Sequence, residues 1–305
     1  MRIRTFSTPD TQQTLALQRW QLAFHGDSVD ERGDAALAVV KSASQRLVPC
    51  EYDIKESRTL RLNGTKTIRK DVVALFQPGM QVLLEATTLG FVELLHLLRA
   101  AHSQRLDAVD LLYVEPKEYQ RDVTLDAPWT REFSLSSSRR FEGVPGFVTD
   151  LSIFENRPGR LVTFLGYEGA RLVQAYEQLG GLTDWQKYAI FGIPGYAPGW
   201  EINALANNVA TLDKHKFESV QFCPASTVSG AYRLLDDIFG EAGGDAPMIV
   251  APLGTKPHGI ATALFLIEHS RYQETSLVYD HPERSRNRSQ QVRRWHLYRV
   301  KFDHP

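Results

Sequence analysis

The stretch "IVAPLGTKPHGIATALFLIEH", Ile249 to His269, decides how this chain is read. It opens on a short apolar run, passes through Gly254, Thr255 and Lys256, and continues as an apolar segment long enough for a helix. A short apolar run bounded by glycine or proline reads as a strand buried on both faces, and the longer one as a helix. Lys256 therefore stands where a strand hands over to a helix. Such a joint has two readings. Glycine lets the backbone approach a ligand closely, amides at a helix start favour negative charge, and lysine adds a full positive charge. Alternatively, Gly254 and Pro257 only turn the chain and Lys256 points into solvent.

The same alternation runs outward from this stretch in both directions. "QVLLEATTLG" leads into "FVELLHLLRAAHSQ", where Phe91, Leu94, Leu95 and Leu98 fall at helical spacing, and "AVDLLYVEP" follows. "GRLVTFLGYEG" leads into "ARLVQAYEQLG", then come "KYAIFGIPG", "ESVQFCPAST", "VSGAYRLLDDIFGE" and finally "TSLVYDHP". Strands alternating with helices predict an α/β fold, a Rossmann-like, mostly parallel sheet with helices on both faces, over residues 79–305. A polar stretch over residues 121–160, centred on "SLSSSRRFEG", reads as an insertion. Residues 1–78 read as a smaller α+β segment. There "TLALQRWQLAFHGD" and "GDAALAVVKSASQRLV" are expected to be helices, and "CEYDIKESRTLRLNGTKTI" a hairpin turning at Asn63-Gly64.

The bulk numbers narrow the function classes. The 305 residues carry 35 basic and 36 acidic side chains, so net charge gives no support for coating nucleic acid, although a local basic site is not excluded. Two cysteines, Cys50 and Cys223, lie far apart without metal-ligand spacing, which fits a reducing compartment. "MRIRTFSTPD" lacks the apolar core of a signal peptide, and no apolar run approaches the roughly 20 residues of a membrane span. A cytoplasmic protein with no membrane association is expected. Neither a G-x-x-x-x-G-K-[ST] loop nor a G-x-G-x-x-G fingerprint is present. Metal-binding H-E-x-x-H and the G-x-S-x-G elbow are missing as well, so no metal and no cofactor is expected.

In open parallel sheets, ligands bind outside the carboxyl ends of the strands. The candidate ligand-binding residues are those just after each strand: Thr87 and Thr88, Gly166, Tyr196 and Trp200, Ser226, Gly254 with Thr255 and Lys256, and Arg284. Lys256 and Arg284 would neutralise phosphates, Thr87 and Thr255 would donate hydrogen bonds, and Tyr196 or Trp200 would contact a base. Glu168, His258 and Asp280 are the acid/base candidates if the protein is an enzyme, because each follows a strand end. Each position also has a plainer reading: a glutamate near a helix start favours the helix dipole, Ser226 and its neighbours cap a helix, and Trp200 packs. The closing segment from Arg284 to Lys301 mixes seven basic residues with Trp295, His296 and Tyr298. Its first part reads toward the pocket, and from Arg293 onward it reads as an edge strand.

"PLGTKPHGIATALF" with the later "LVYDHP" resembles the CRISPR-associated Rossmann fold sensor domains. In that family a glycine-threonine-lysine loop, often T-G-G-T-K, joins a late strand to a helix, and Gly254, Thr255 and Lys256 match it. The hydroxyl-bearing "EATTLG" loop with Thr87 and Thr88 is similar in kind. The resemblance implies binding of cyclic oligoadenylates across a homodimer in antiviral defence, with some members cleaving their own ligand. Pro252 and Leu253 stand where the family has threonine and glycine. Three functions follow for this chain: a nucleotide-type ligand sensor, acting as a homodimer or with a partner protein; an enzyme hydrolysing or transferring a nucleoside or nucleotide group; or a protein-interaction scaffold.

Overall fold

The computed structural model describes residues 1–8, 19–55, 58–119, 133, 135–137, 141–148, 158–179, 185–241, 246–269 and 275–304. Most of the expected insertion over residues 121–160 lies outside them. Its elements begin with β1 (Arg2–Thr8), β2 (Trp20–His25), α1 (Glu31–Ala43), β3 (Ser44–Asp53), β4 (Thr59–Leu62), β5 (Thr65–Thr67) and α2 (Arg69–Ala74). Then come β6 (Val82–Glu85), α3 (Phe91–Ser103), β7 (Ala108–Tyr119), β8 (Ser136–Ser137), β9 (Arg160–Leu165), α4 (Gly169–Gln178) and β10 (Gln186–Gly192). The remainder are α5 (Trp200–Lys214), β11 (Ser219–Cys223), α6 (Val228–Gly240), β12 (Met248–Pro252), α7 (Lys256–Glu268), β13 (Thr275–Leu277), β14 (Glu283–Arg284) and β15 (Ser289–Lys301). The chain divides into two units, Met1–Glu118 with Arg286–Pro305, and Tyr119–Ser285.

The first unit holds an eight-stranded sheet in the order β1-β15-β7-β6-β2-β3-β4-β5. Within it β3, β2, β6 and β7 run parallel, and β1 pairs antiparallel with β15. The sheet runs across the boundary expected at residue 78, because β2 bonds directly to β6. The hairpin forms where expected: β4 and β5 are joined by Asn63 and Gly64 at φ 51° and 75°, the left-handed pair that a two-residue turn requires.

Two expectations for this unit are corrected. Within "TLALQRWQLAFHGD", Trp20–His25 forms strand β2 rather than helix, with Leu22, Ala23 and Phe24 buried between β3 and β6. Pairing on both sides satisfies every backbone group of such a segment, and that tertiary gain overrides its helical spacing. The closing segment is not an edge either. β15 lies between β1 and β7, and Trp295 to Tyr298 form a continuous buried run, the pattern of an interior strand.

The second unit carries a five-stranded, wholly parallel sheet, β11-β10-β9-β12-β13. All six residues of β9 and all five of β12 are buried, which explains why, apart from Arg160 and Thr163 on β9, both strands are apolar. α7 is buried on every side from Pro257 to Ile267 and packs against α6 and β12, as its all-round apolar sequence requires. Each fully buried leucine, isoleucine or phenylalanine there contributes about 1.5–3 kcal/mol. The whole protein is thus mixed α/β with two sheets built around parallel strands.

Candidate functional site

In chain order the strands of the five-stranded sheet are β9, β10, β11, β12 and β13, so growth of the sheet reverses between β9 and β12. Successive connections lead from β9 toward β10 on one side and from β12 toward β13 on the other, and in open α/β sheets such a switch point is where ligands bind, outside the carboxyl ends of the strands. Gly166 follows β9 and Gly254 follows β12. Their lack of side chains is forced: a methyl on Gly166 would collide with the Leu253 carbonyl, and one on Gly254 would lie 3.1 Å from both His258 Nδ1 and Phe164 Cβ.

Thr255 occupies the N-cap position of α7 but does not cap it. Its hydroxyl donates instead to the Ala225 carbonyl at 2.6 Å, in the turn after β11 that also contains Ser226. Pro257 sits in the first turn, where its missing N–H costs nothing. Among the described residues the N-cap side chain makes no capping hydrogen bond, and half-buried Lys256 is the first residue of the helix. The positive end of the α7 dipole therefore starts at the carboxyl end of β12 with Lys256 as its first side chain.

His258 is fully buried under this turn, with its Nε2 3.2 Å from the Pro224 carbonyl. A carbonyl only accepts, so the proton resides on Nε2 and Nδ1 is a lone-pair acceptor. That Nδ1 has no hydrogen-bond partner and faces the space a Gly254 side chain would fill. Burial pushes the imidazole down to about 4, so it is neutral at physiological pH.

The other two acid/base candidates are engaged. Asp280, fully buried, accepts a bidentate pair from Arg171 at 2.6 and 2.7 Å. Burial alone would lower the Arg171 guanidinium, but the Asp280 hydrogen bonds and charge outweigh it and raise it. Glu168 precedes α4, lies 3.7 Å from Arg171, and accepts from the amides of Leu135 and Ser136 and from the Ser136 hydroxyl. Ser136 pairs with Arg284 between β8 and β14, so Glu168 and Arg284 share one neighbourhood.

Trp200 opens α5 and joins an aromatic group with Tyr167, Tyr119 and Phe133, the ring centroids of Trp200 and Tyr119 lying 5.3 Å apart and those of Phe133 and Tyr167 5.2 Å. Tyr167 directly follows Gly166, and its carbonyl accepts from Asn207 Nδ2 at 2.6 Å, while the Gly166 carbonyl accepts from Asn208 at 2.9 Å. Tyr196 is buried in the turn between β10 and α5.

Eleven of the thirteen candidates thus fall in the second unit: Gly166, Glu168, Tyr196, Trp200, Ser226, Gly254, Thr255, Lys256, His258, Asp280 and Arg284. Thr87 and Thr88 belong to the first. There the buried Glu85 carboxylate accepts from both threonine amides, at 2.8 and 2.9 Å, and from the Thr88 hydroxyl. Thr88 Oγ1 in turn accepts from Gly26 N at 2.9 Å, and Thr87 Oγ1 from Val114 N at 3.0 Å. These hydroxyls hold strands together.

Tyr119 was expected among the residues that follow a strand, whereas Arg171, Asn208 and the rings of Phe133 and Tyr167 were not anticipated. The one available signal was spacing: Arg171 stands one turn after Glu168, on the same helix face. Among the described residues no group of three or more His, Cys, Asp or Glu side chains could hold a metal ion, and no helix is long and apolar enough to cross a membrane. No protein-family model and no curated protein matches the chain.

Proposed function

We propose that the second unit binds a nucleotide-type, phosphate-bearing ligand at the carboxyl ends of β9 and β12, and that the protein acts as a sensor of that ligand. The observation that carries this reading is the start of α7. The helix begins at the point where sheet order reverses, on a bare glycine, with a lysine as its first residue and its only N-cap hydroxyl turned away to Ala225. Such a helix end attracts a phosphate through its amides and dipole. The reversal of a parallel sheet beside β9 supports the reading, because open α/β sheets of the Rossmann-like kind take their ligands at such a point. The Nδ1 of His258 offers an acceptor for a ligand hydroxyl or amine. The rings of Trp200 and Tyr167 provide aromatic surface for a base.

The resemblance of Gly254, Thr255 and Lys256 to the sensor-domain loop adds a homodimer and a role in antiviral defence to the proposal. An acid/base mechanism draws less support, because Glu168 and Asp280 are both committed to Arg171 and no hydrogen bond links either to His258.

Thermal unfolding against mono-, di- and cyclic oligonucleotides, for the wild type and Lys256→Ala, tests the proposal. A ligand at 100 times its Kd stabilises by about 2.7 kcal/mol, and the substitution is expected to remove most of that shift. Absence of any shift across the panel overturns the reading.

A further inference from the structure

The first unit contains an arrangement that the sheet reversal of the second does not use. Ser7 on β1 stands directly opposite His296 on β15 in the antiparallel register. Its Oγ lies 2.8 Å from His296 Nδ1, and His296 Nε2 lies 2.8 Å from Glu115 Oε2 on β7. Three neighbouring strands therefore present serine, histidine and glutamate in one continuous hydrogen-bonded line.

The protons in that line are assignable. Glu115 is buried, and as a carboxylate it only accepts, so Nε2 of His296 carries the hydrogen. Nδ1 is then a lone-pair acceptor, and the Ser7 hydroxyl must donate to it. The second carboxylate oxygen of Glu115 is occupied by Arg293 Nε at 3.2 Å, which leaves Oε2 to the imidazole. His296 is itself buried, held between the rings of Tyr113 and Tyr298 at 6.1 and 5.8 Å. Ser7, by contrast, is exposed on the strand that forms the outer edge of the sheet. A nucleophile open to solvent, a base with its lone pair aimed at it, and a buried carboxylate fixing the base's tautomer are the parts of an acyl-transfer relay.

We infer that Ser7, His296 and Glu115 form a nucleophilic site that takes uncharged carboxylic esters. Ser7 Oγ attacks the ester carbonyl carbon as its proton passes to His296 Nδ1, and Glu115 stabilises the resulting imidazolium. The carbon–oxygen bond to the leaving group breaks, and the alcohol departs with the proton from Nδ1. Water then attacks the acyl-serine as its proton passes to Nδ1, the acyl carbon–Oγ bond breaks, and Ser7 Oγ takes that proton back as the carboxylic acid leaves. Ester and water become acid and alcohol. Such a relay acts on an acyl carbonyl, and Ser7 on the exposed edge strand is open to its approach. Glu115 acts through His296 and is a positioning residue.

The test is labelling of the full chain with a fluorophosphonate, read by peptide mass spectrometry, alongside p-nitrophenyl acetate hydrolysis. The expected result is an adduct on Ser7, with hydrolysis abolished in Ser7→Ala and labelling slowed about 100-fold in His296→Gln, the usual scale of general-base catalysis. A circular dichroism spectrum matching the wild type confirms that each variant is folded. Should His296→Gln fail to fold, Ser7→Cys serves instead: iodoacetamide is expected to alkylate that thiol well ahead of Cys50 and Cys223, both buried. For Glu115→Gln, ¹⁵N NMR of His296 is expected to show the proton moved from Nε2 to Nδ1, with labelling lost and then restored in Glu115→Asp. An unlabelled Ser7 in folded protein, or labelling indifferent to His296→Gln, overturns the inference and reduces the line to a cross-strand tie.

Discussion

The joint after β6 and the joint after β12 have the same grammar: a buried parallel strand, a threonine-bearing turn with a glycine, and an apolar helix. Their polar atoms do opposite things. After β6, Glu85 collects the amides of Thr87 and Thr88 and the Thr88 hydroxyl, and both threonine side chains bond to neighbouring backbone. After β12, Thr255 sends its hydroxyl to another turn instead of capping α7, and among the described residues His258 Nδ1 has no hydrogen-bond partner. The difference is one residue type at the strand's end. A carboxylate at position 85 closes the first joint, whereas Pro252 at the end of β12 offers nothing to close the second. Hydroxyl-rich turns are therefore not equivalent, and what decides between structure and ligand is whether an internal acceptor already claims them.

The contrast can be broken at several points, beginning with the largest effect. Asp280→Ala removes the bidentate partner of buried Arg171 and leaves it only Glu168 at 3.7 Å, and denaturant unfolding of the second unit is expected to show a loss of about 3–5 kcal/mol. Acid is the next lever. His258 is neutral in the folded protein down to about pH 4, while an unfolded histidine takes up a proton near 6.5. Its folded value is lowered, so the unfolded state binds more protons between those limits. Stability is then full above about pH 6.5 and falls toward pH 4, by roughly 3 kcal/mol at 1.36 kcal/mol per pH unit. In His258→Gln that portion of the pH dependence is expected to vanish from a plot of unfolding free energy against pH.

Glu85→Gln sharpens the comparison from the closed side. One oxygen remains for one threonine amide, the other amide faces an NH₂ group, and a cost of about 1–3 kcal/mol is expected in urea unfolding of the first unit. Ligand binding should be untouched. Lys256→Ala is the mirror case. Its own stability is expected to stay within about 0.5 kcal/mol of wild type, as for a half-exposed side chain, while the nucleotide-induced thermal shift disappears. If instead Glu85→Gln removed the shift and Lys256→Ala kept it, the two joints would have been assigned the wrong way round.

Much of the second unit was legible because its signals are local. Runs such as "LVTFL" and "MIVAP" are dominated by apolar residues since both faces are covered, and the turns between them carry glycine and proline where the chain must bend. The Asn63-Gly64 hairpin was legible for the same reason: left-handed φ values admit few residue types. Trp20–His25 was misread because helical spacing is a local property and strand pairing is not. The closing segment was misread as an edge because its arginines resemble edge-strand charges. In the sheet, Arg299 instead meets Asp110 at 2.7 Å and Arg293 meets Glu115 at 3.2 Å, on a strand that is 289 residues from its partner at Ser7.

By itself, then, the sequence determined the alternation of strands and helices, the turns that must hold glycine, and the strand ends where polar groups gather, because these depend on residues within one or two turns of each other. Only the tertiary structure decided which strands are neighbours. That ordering placed the reversal of the second sheet at Gly166 and Gly254, consumed Thr87 and Thr88 on Glu85, bound Asp280 to Arg171, and set Ser7 against His296 and Glu115. A hydrogen bond needs about 3 Å and a direction, and no spacing along the chain encodes either for groups that meet from opposite ends of it.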